Sequence, residues 1–256
     1  MRRWFIGLCD DEDMGYMIEL ADVSAYRADP SGTPKGGLVL IHEIWGLVDH
    51  IKDLADRFAA EGYLVVAPDI LSRIGIEPHV GLDLFSRMFS PDEATRLEVQ
   101  PHLREALAPS RSPEYAAGAI ASLKSVVDYL ADQPGIDGRI AVTGFCFGGT
   151  FSFALAVADP RISAALPWYG TAPTPEAMGT IGCPVLALYG GIDEPLMSAL
   201  PEVTRAMAEA GVDFTPHVYG EAKHAFFNDT SINYSPEAAA DAWPRALTFL
   251  ETSLTR

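Results

Sequence analysis

The segment Gly144-Phe145-Cys146-Phe147-Gly148-Gly149 sets a thiol midway between two glycines at the end of an apolar run. That spacing suits a strand-to-helix turn carrying a nucleophile, with cysteine where serine is usual. Backbones approach closely in such a turn, so the positions two before and two after the nucleophile must be small, as Gly144 and Gly148 are. The turn lifts the sulfur above the sheet edge and places it at the positive end of the following helix, which favours thiolate. The N–H of Phe147 then points where an oxyanion would form. The bland alternative is a buried cysteine in an ordinary glycine-rich turn.

A thiol nucleophile needs a base and an acid to orient it. Asp193 lies in Gly190-Gly191-Ile192-Asp193-Glu194-Pro195, just past an apolar run, and Glu194 is the alternative acid. His224 lies in Gly220-Glu221-Ala222-Lys223-His224-Ala225-Phe226, past the next run. Alone it could be a surface histidine; its place after the nucleophile and the acid makes it the expected base. His217 is a weaker candidate because it falls inside a predicted strand. His42, His50, His79 and His102 form no zinc pattern, and His42-Glu43 is not followed by the second histidine of an H-E-x-x-H site. No dinucleotide fingerprint or phosphate loop is present, so no cofactor and no metal is expected.

These side chains must be held by elements, and the hydropathy supplies them. Apolar runs at Tyr16–Leu20, Val23–Tyr26, Gly37–His42, Tyr63–Pro68, Arg139–Phe145, Ile162–Trp168, Pro184–Tyr189 and Phe214–Tyr219 predict strands. Most are nearly continuous, as in a parallel sheet covered on both faces. Helices are predicted at Asp49–Ala60, Tyr115–Leu130, Gly148–Ala158, Pro195–Ala210 and Pro236–Leu250, with Pro244 expected to split or kink the last. The alternation predicts an α/β sandwich with crossover helices. Ser72 to Pro113 stands apart: five prolines and a weak apolar pattern predict a long excursion with one or two short helices. It leaves a strand at the end where α/β ligands bind, so it is expected beside the active site.

The chain has 256 residues, of which 48% are hydrophobic, enough for one domain with a substantial core. Eighteen Lys+Arg against 35 Asp+Glu give a formal net charge of -17, which argues against nucleic acid and anionic membranes as partners. The apolar run Trp4–Leu8 is too short for a secretory signal, and no stretch is long enough to span a bilayer. Three cysteines, Cys9, Cys146 and Cys183, make no disulfide framework, so a cytoplasmic setting is expected, with Cys183 structural.

From about Gly15 to Leu250 the sequence resembles the dienelactone hydrolase family of α/β-hydrolases. The resemblance rests on Ile41-His42-Glu43-Ile44-Trp45-Gly46, Ala67-Pro68-Asp69, the Cys146 turn, Tyr189-Gly190 with Asp193, and His224-Ala225-Phe226. It implies a three-layer α/β-hydrolase fold with a mostly parallel central sheet flanked by helices. It also implies a cysteine-dependent hydrolase that opens an enol-lactone to a maleylacetate-type product through an acyl-thioester. In the family a buried glutamate, here Glu43, hydrogen-bonds the resting thiol and takes its proton when substrate arrives. The second oxyanion donor falls on the N–H of Ile44. Family members that take carboxylate-bearing lactones hold the carboxylate with arginines. Arg73 matches one; the other position is Asn228, which puts that clamp in doubt. Trp45, Phe147, Phe227, Phe85 and Phe89 are candidate pocket residues, or else core. The implied partner is a small ester or lactone, bound by a monomer or small homo-oligomer. Two alternatives remain at this point: a general carboxylesterase, which Asn228 favours, and a non-catalytic ligand-binding or thiol-sensing protein.

Overall fold

Runs of Val, Ile and Leu that alternate with amphipathic segments fold as strands joined by crossover helices, because each sheet face must be covered by an apolar helix stripe. The computed structural model describes residues 15–255. Its eight strands are β1 Tyr16–Leu20, β2 Val23–Ala28, β3 Gly37–Ile41, β4 Leu64–Pro68, β5 Ile140–Phe145, β6 Ile162–Trp168, β7 Val185–Gly190 and β8 Phe214–Tyr219. They form one sheet in the order β1-β2-β4-β3-β5-β6-β7-β8. β1 and β2 run antiparallel to their neighbours; the other pairings are parallel. The fully buried strands β3, β4, β5 and β7 carry the continuous apolar runs. β8 is an edge strand, which tolerates Pro216.

The eight helices are α1 Asp49–Ala60, α2 Pro78–Met88, α3 Glu93–Leu107, α4 Pro113–Ala131, α5 Phe147–Ala158, α6 Pro175–Met178, α7 Glu194–Glu209 and α8 Pro236–Leu254. α1 and α8 pack on one face of the sheet, around Phe58, Trp168, Phe226 and Leu250. α4, α5 and α7 pack on the other, around Leu123, Val127, Phe153 and Met207. The result is the expected three-layer α/β fold. Pro244 neither splits nor ends α8, which is continuous through it.

The excursion after β4 holds more structure than its composition suggests. It contains α2, of 11 residues, and α3, of 15 residues, between single turns at Ser72–Ile74 and Ala108–Arg111. Pro78 and Pro113 start helices, where a missing N–H costs nothing. α3 buries only Val99, which explains its weak apolar pattern. The two helices form a satellite core on Trp45, whose ring meets Phe85 at 5.4 Å and Phe89 at 6.1 Å. At the neck of the excursion the Tyr115 hydroxyl donates to the Ile70 carbonyl at 2.9 Å. No helix among the described residues is long and apolar enough to cross a membrane. The short run Trp4–Leu8 and Cys9 lie outside the described residues.

Candidate active site

The chain order reverses between β3 and β5: β4 lies on one side of β3 and β5 on the other. A crevice opens at the C-terminal ends of strands at such a point. Glu43 follows β3 and Cys146 follows β5, so the sheet itself delivers these two residues to that crevice. Asp193 and His224 come from the turns after β7 and β8.

Cys146 caps α5 with φ 56 and ψ -111, a conformation that costs strain for a residue with a side chain. The turn is held shut by its glycines. A Cβ on Gly148 would meet the Ile41 oxygen at 2.1 Å, and one on Gly144 would meet the Gly148 oxygen at 2.4 Å. Two more strained residues, Tyr169 at φ 38 and Ala225 at φ 61, stand immediately after β6 and after His224. Strain is thus gathered around the crevice, as at sites where surrounding packing over-determines the geometry.

Asp193 accepts from His224 Nδ1 at 2.5 Å, and its side chain is nearly buried. Burial alone would lower the proton affinity of His224. The bond to Asp193 and the contact with the Cys146 thiol outweigh it and raise the imidazole to about 10. Cys146, His224 and Asp193 are therefore brought together in the expected order of contacts. Glu194 begins α7 and His217 pairs with Asp241 instead, so neither alternative joins the group. Cys183 is buried away from it, and burial pushes its thiol up to about 11.

Glu43 is 3% exposed. Burial pushes its carboxyl up to about 7, against the opposing pull of the Asn228 hydrogen bond and the nearby His224. Asn228 is buried too, and its Nδ2 donates to Glu43 Oε2 at 2.7 Å. The amide cannot be turned round, because its oxygen accepts from the Thr230 N–H at 3.0 Å and the Thr230 hydroxyl at 2.6 Å. Asn228 is thus a partner of Glu43 rather than the substrate contact expected from the sequence.

Three more candidate pocket residues are engaged within the protein. Arg73 is not directed at the crevice: its guanidinium donates to Asp22 at 2.9 Å and to Ser122 at 2.7 Å. Phe227 is core, 4.4 Å from the Trp168 ring. Trp45 is buried beneath the excursion. Ile44 lies between Glu43 and Trp45, half-buried against the same satellite core. Phe147 is half-buried and packs on Phe151. Neither the Ile44 N–H nor the Phe147 N–H donates to a protein acceptor among the described residues.

Tyr169 went unnoticed in the sequence. Its hydroxyl is buried with no hydrogen-bond partner among the described residues. Burial, then the Glu43 carboxyl and the Cys146 thiol, push it well above its ordinary range, and its ring lies 5.1 Å from that of His224. The available signal was the Tyr169-Gly170 pair ending a strand. Among the described residues no group of three or more His, Cys, Asp or Glu is placed to hold a metal ion.

The chain is similar over most of its length to several known proteins. A protein of Saccharolobus solfataricus provisionally named a carboxymethylenebutenolidase is 33% identical over 257 residues, covering 94% of this chain and 98% of its own. A similarly named protein of Escherichia coli O157:H7 is 30% identical over 239 residues, covering 88% of this chain and 81% of its own. The crystal structure of a provisionally assigned dienelactone hydrolase from Klebsiella pneumoniae superposes with a TM-score of 0.78 at 29% identity, covering 92% of this chain and 97% of that one. The dienelactone hydrolase family model matches residues 23–254, from β2 to the end of α8. A match of that extent places the chain in the dienelactone hydrolase family of the α/β-hydrolase superfamily, as a hydrolase of that family.

Proposed function

We propose that this chain is a cysteine-dependent hydrolase that opens an enol-lactone ring to a maleylacetate-type product through an acyl-thioester. The observation that carries the reading is the contact chain Cys146–His224–Asp193 at the strand ends, with the buried Glu43 carboxyl beside it. In the resting state Glu43 faces the Cys146 thiol. A carboxyl raised to about 7 can accept the thiol proton at neutral pH, which makes it fit for this switch. The thiolate then pairs with protonated His224, held by Asp193, and attacks the carbonyl carbon. The Ile44 and Phe147 N–H groups hold the oxyanion. The ring C–O bond breaks, the enolate leaves on oxygen, and the acyl group stays on sulfur. The departing enolate takes a proton from water, the resulting hydroxide attacks the thioester, and the S–C bond breaks to free the acid product and the Cys146 thiolate, which stays beside protonated His224 until Glu43 returns its proton to the sulfur. The substrate is a small molecule, and the proposed setting is cytoplasmic, with the chain a monomer or a small homo-oligomer.

A second reading is favoured by one observation. Asn228 is engaged by Glu43, and Arg73 by Asp22 and Ser122, so the two positions expected to clamp a substrate carboxylate are committed elsewhere. That favours uncharged lactones and small or aromatic esters. A panel of a dienelactone and neutral aryl esters, run beside Cys146→Ala, tests both readings. Loss of all turnover in the variant is expected, and unchanged turnover would sink the proposal. Neutral-ester hydrolysis without lactone turnover would select the second reading.

A further inference from the structure

His42 precedes Glu43, is wholly buried, and has no part in the chemistry above. Both of its ring nitrogens are occupied by main-chain groups. Nδ1 lies 2.7 Å from the Glu43 carbonyl oxygen, and Nε2 lies 3.2 Å from the Ile70 amide nitrogen. A carbonyl only accepts and an amide N–H only donates, so the ring is the neutral tautomer with its proton on Nδ1. A charged ring would set a second N–H against that of Ile70. Burial holds the ring's proton affinity below its ordinary value, against the pull of the Asp69 carboxylate.

The peptide group whose oxygen His42 holds has Ile44 as its nitrogen. In a planar trans peptide the C=O and N–H point in opposite directions, so fixing the oxygen aims the Ile44 N–H. The Gly46 N–H donates to the same oxygen at 3.2 Å, steadying the plane from a second side. The His42 ring also lies parallel to that of Phe147, with centroids 6.1 Å apart and planes 6° apart. One buried imidazole therefore touches both segments that carry the free amides. Resting on the oxyanion role proposed for those amides, the geometry points to His42 as the positioning residue of the oxyanion pocket, setting the Glu43–Ile44 peptide plane through Nδ1–H and bracing Phe147 by its ring face.

Two variants separate the parts. His42→Phe keeps a flat ring and loses both hydrogen bonds. His42→Gln keeps one donor and one acceptor. The readouts are kcat and KM for an aryl ester that Cys146→Ala does not hydrolyse, and the rate of Cys146 alkylation by iodoacetamide, which forms no oxyanion. For His42→Phe, kcat is expected to fall about 10- to 100-fold, since an oxyanion donor is misplaced rather than removed. KM and alkylation should stay within about threefold, and His42→Gln should recover most of kcat. An unchanged kcat in His42→Phe overturns the inference. So does a parallel fall in kcat and alkylation, or a Gln variant no better than Phe. Nitrogen-15 NMR of the wild-type histidines tests the geometry without turnover: a neutral ring protonated at Nδ1 is expected from pH 5 to 8, and the other tautomer or a charged ring overturns it. If the wild type shows no Cys146-dependent hydrolysis, the proposed function fails on its own, and the NMR result still decides the role of His42 as a main-chain brace.

Discussion

Glu43→Gln should make the protein more stable, and by an amount that grows with pH. The carboxyl is raised from 4.5 to about 7 in the folded protein. A raised carboxyl means that the folded state binds the proton more tightly than the unfolded chain does. Stability therefore falls as pH rises between those two values, and the loss is complete above about 7. A displacement of roughly 2.5 pK units, at about 1.36 kcal/mol each, amounts to about 3 kcal/mol. Glutamine cannot ionise, and its oxygen can still accept from Asn228. The variant should thus match the wild type near pH 4.5 and exceed it by about 3 kcal/mol at pH 8. Urea unfolding of both proteins at several pH values measures the difference directly, and groups common to both cancel. A stability difference that does not vary with pH, or a variant less stable at pH 8, would refute the argument. The predicted gain is the cost of keeping an ionisable group buried near His224.

Two further outcomes follow from the geometry. Asp193→Asn removes the bond that raises His224, so its titration should move down from about 10; at present the stabilisation tied to that proton is complete below 6.5 and is lost as pH rises to about 10. Following the ring by NMR would show this, and an unmoved titration would count against the pairing. Gly81→Ala places a Cβ 1.7 Å from the Trp45 carbonyl oxygen, so α2 must lift from the loop that follows β3. A loss of about 1–3 kcal/mol is expected, with faster proteolysis inside the excursion, and unaltered cleavage would argue against that seat.

The strands were legible because most are buried on both faces and read as unbroken apolar runs, and the Cys146 turn was legible because its glycines are sterically obligatory. The excursion was legible only as one or two short helices, because Pro78 starts α2, α3 runs through Pro101, and α3 hides a single residue. Cys146, Asp193 and His224 could be placed by their positions after strands. Asn228, Arg73 and His42 could not, because each is defined by partners far along the chain. Asn228 answers to Glu43 across 185 residues, Arg73 to Asp22 across 51, and His42 to Ile70 across 28. Of the three, Arg73 suggests a ligand contact by its type; the fold turns each to an internal partner.

The hydrogen bond from Tyr115 to Ile70 joins two residues 45 positions apart at the neck of the excursion. Its ends are fixed to β4 and α4 whatever lies between them, so lengthening or replacing the intervening chain incurs only a slowly growing closure entropy. The excursion is in this sense a cassette. Evolution, or a designer, can exchange the helices packed on Trp45 between these two anchors while the strands that carry Cys146, Asp193 and His224 stay as they are.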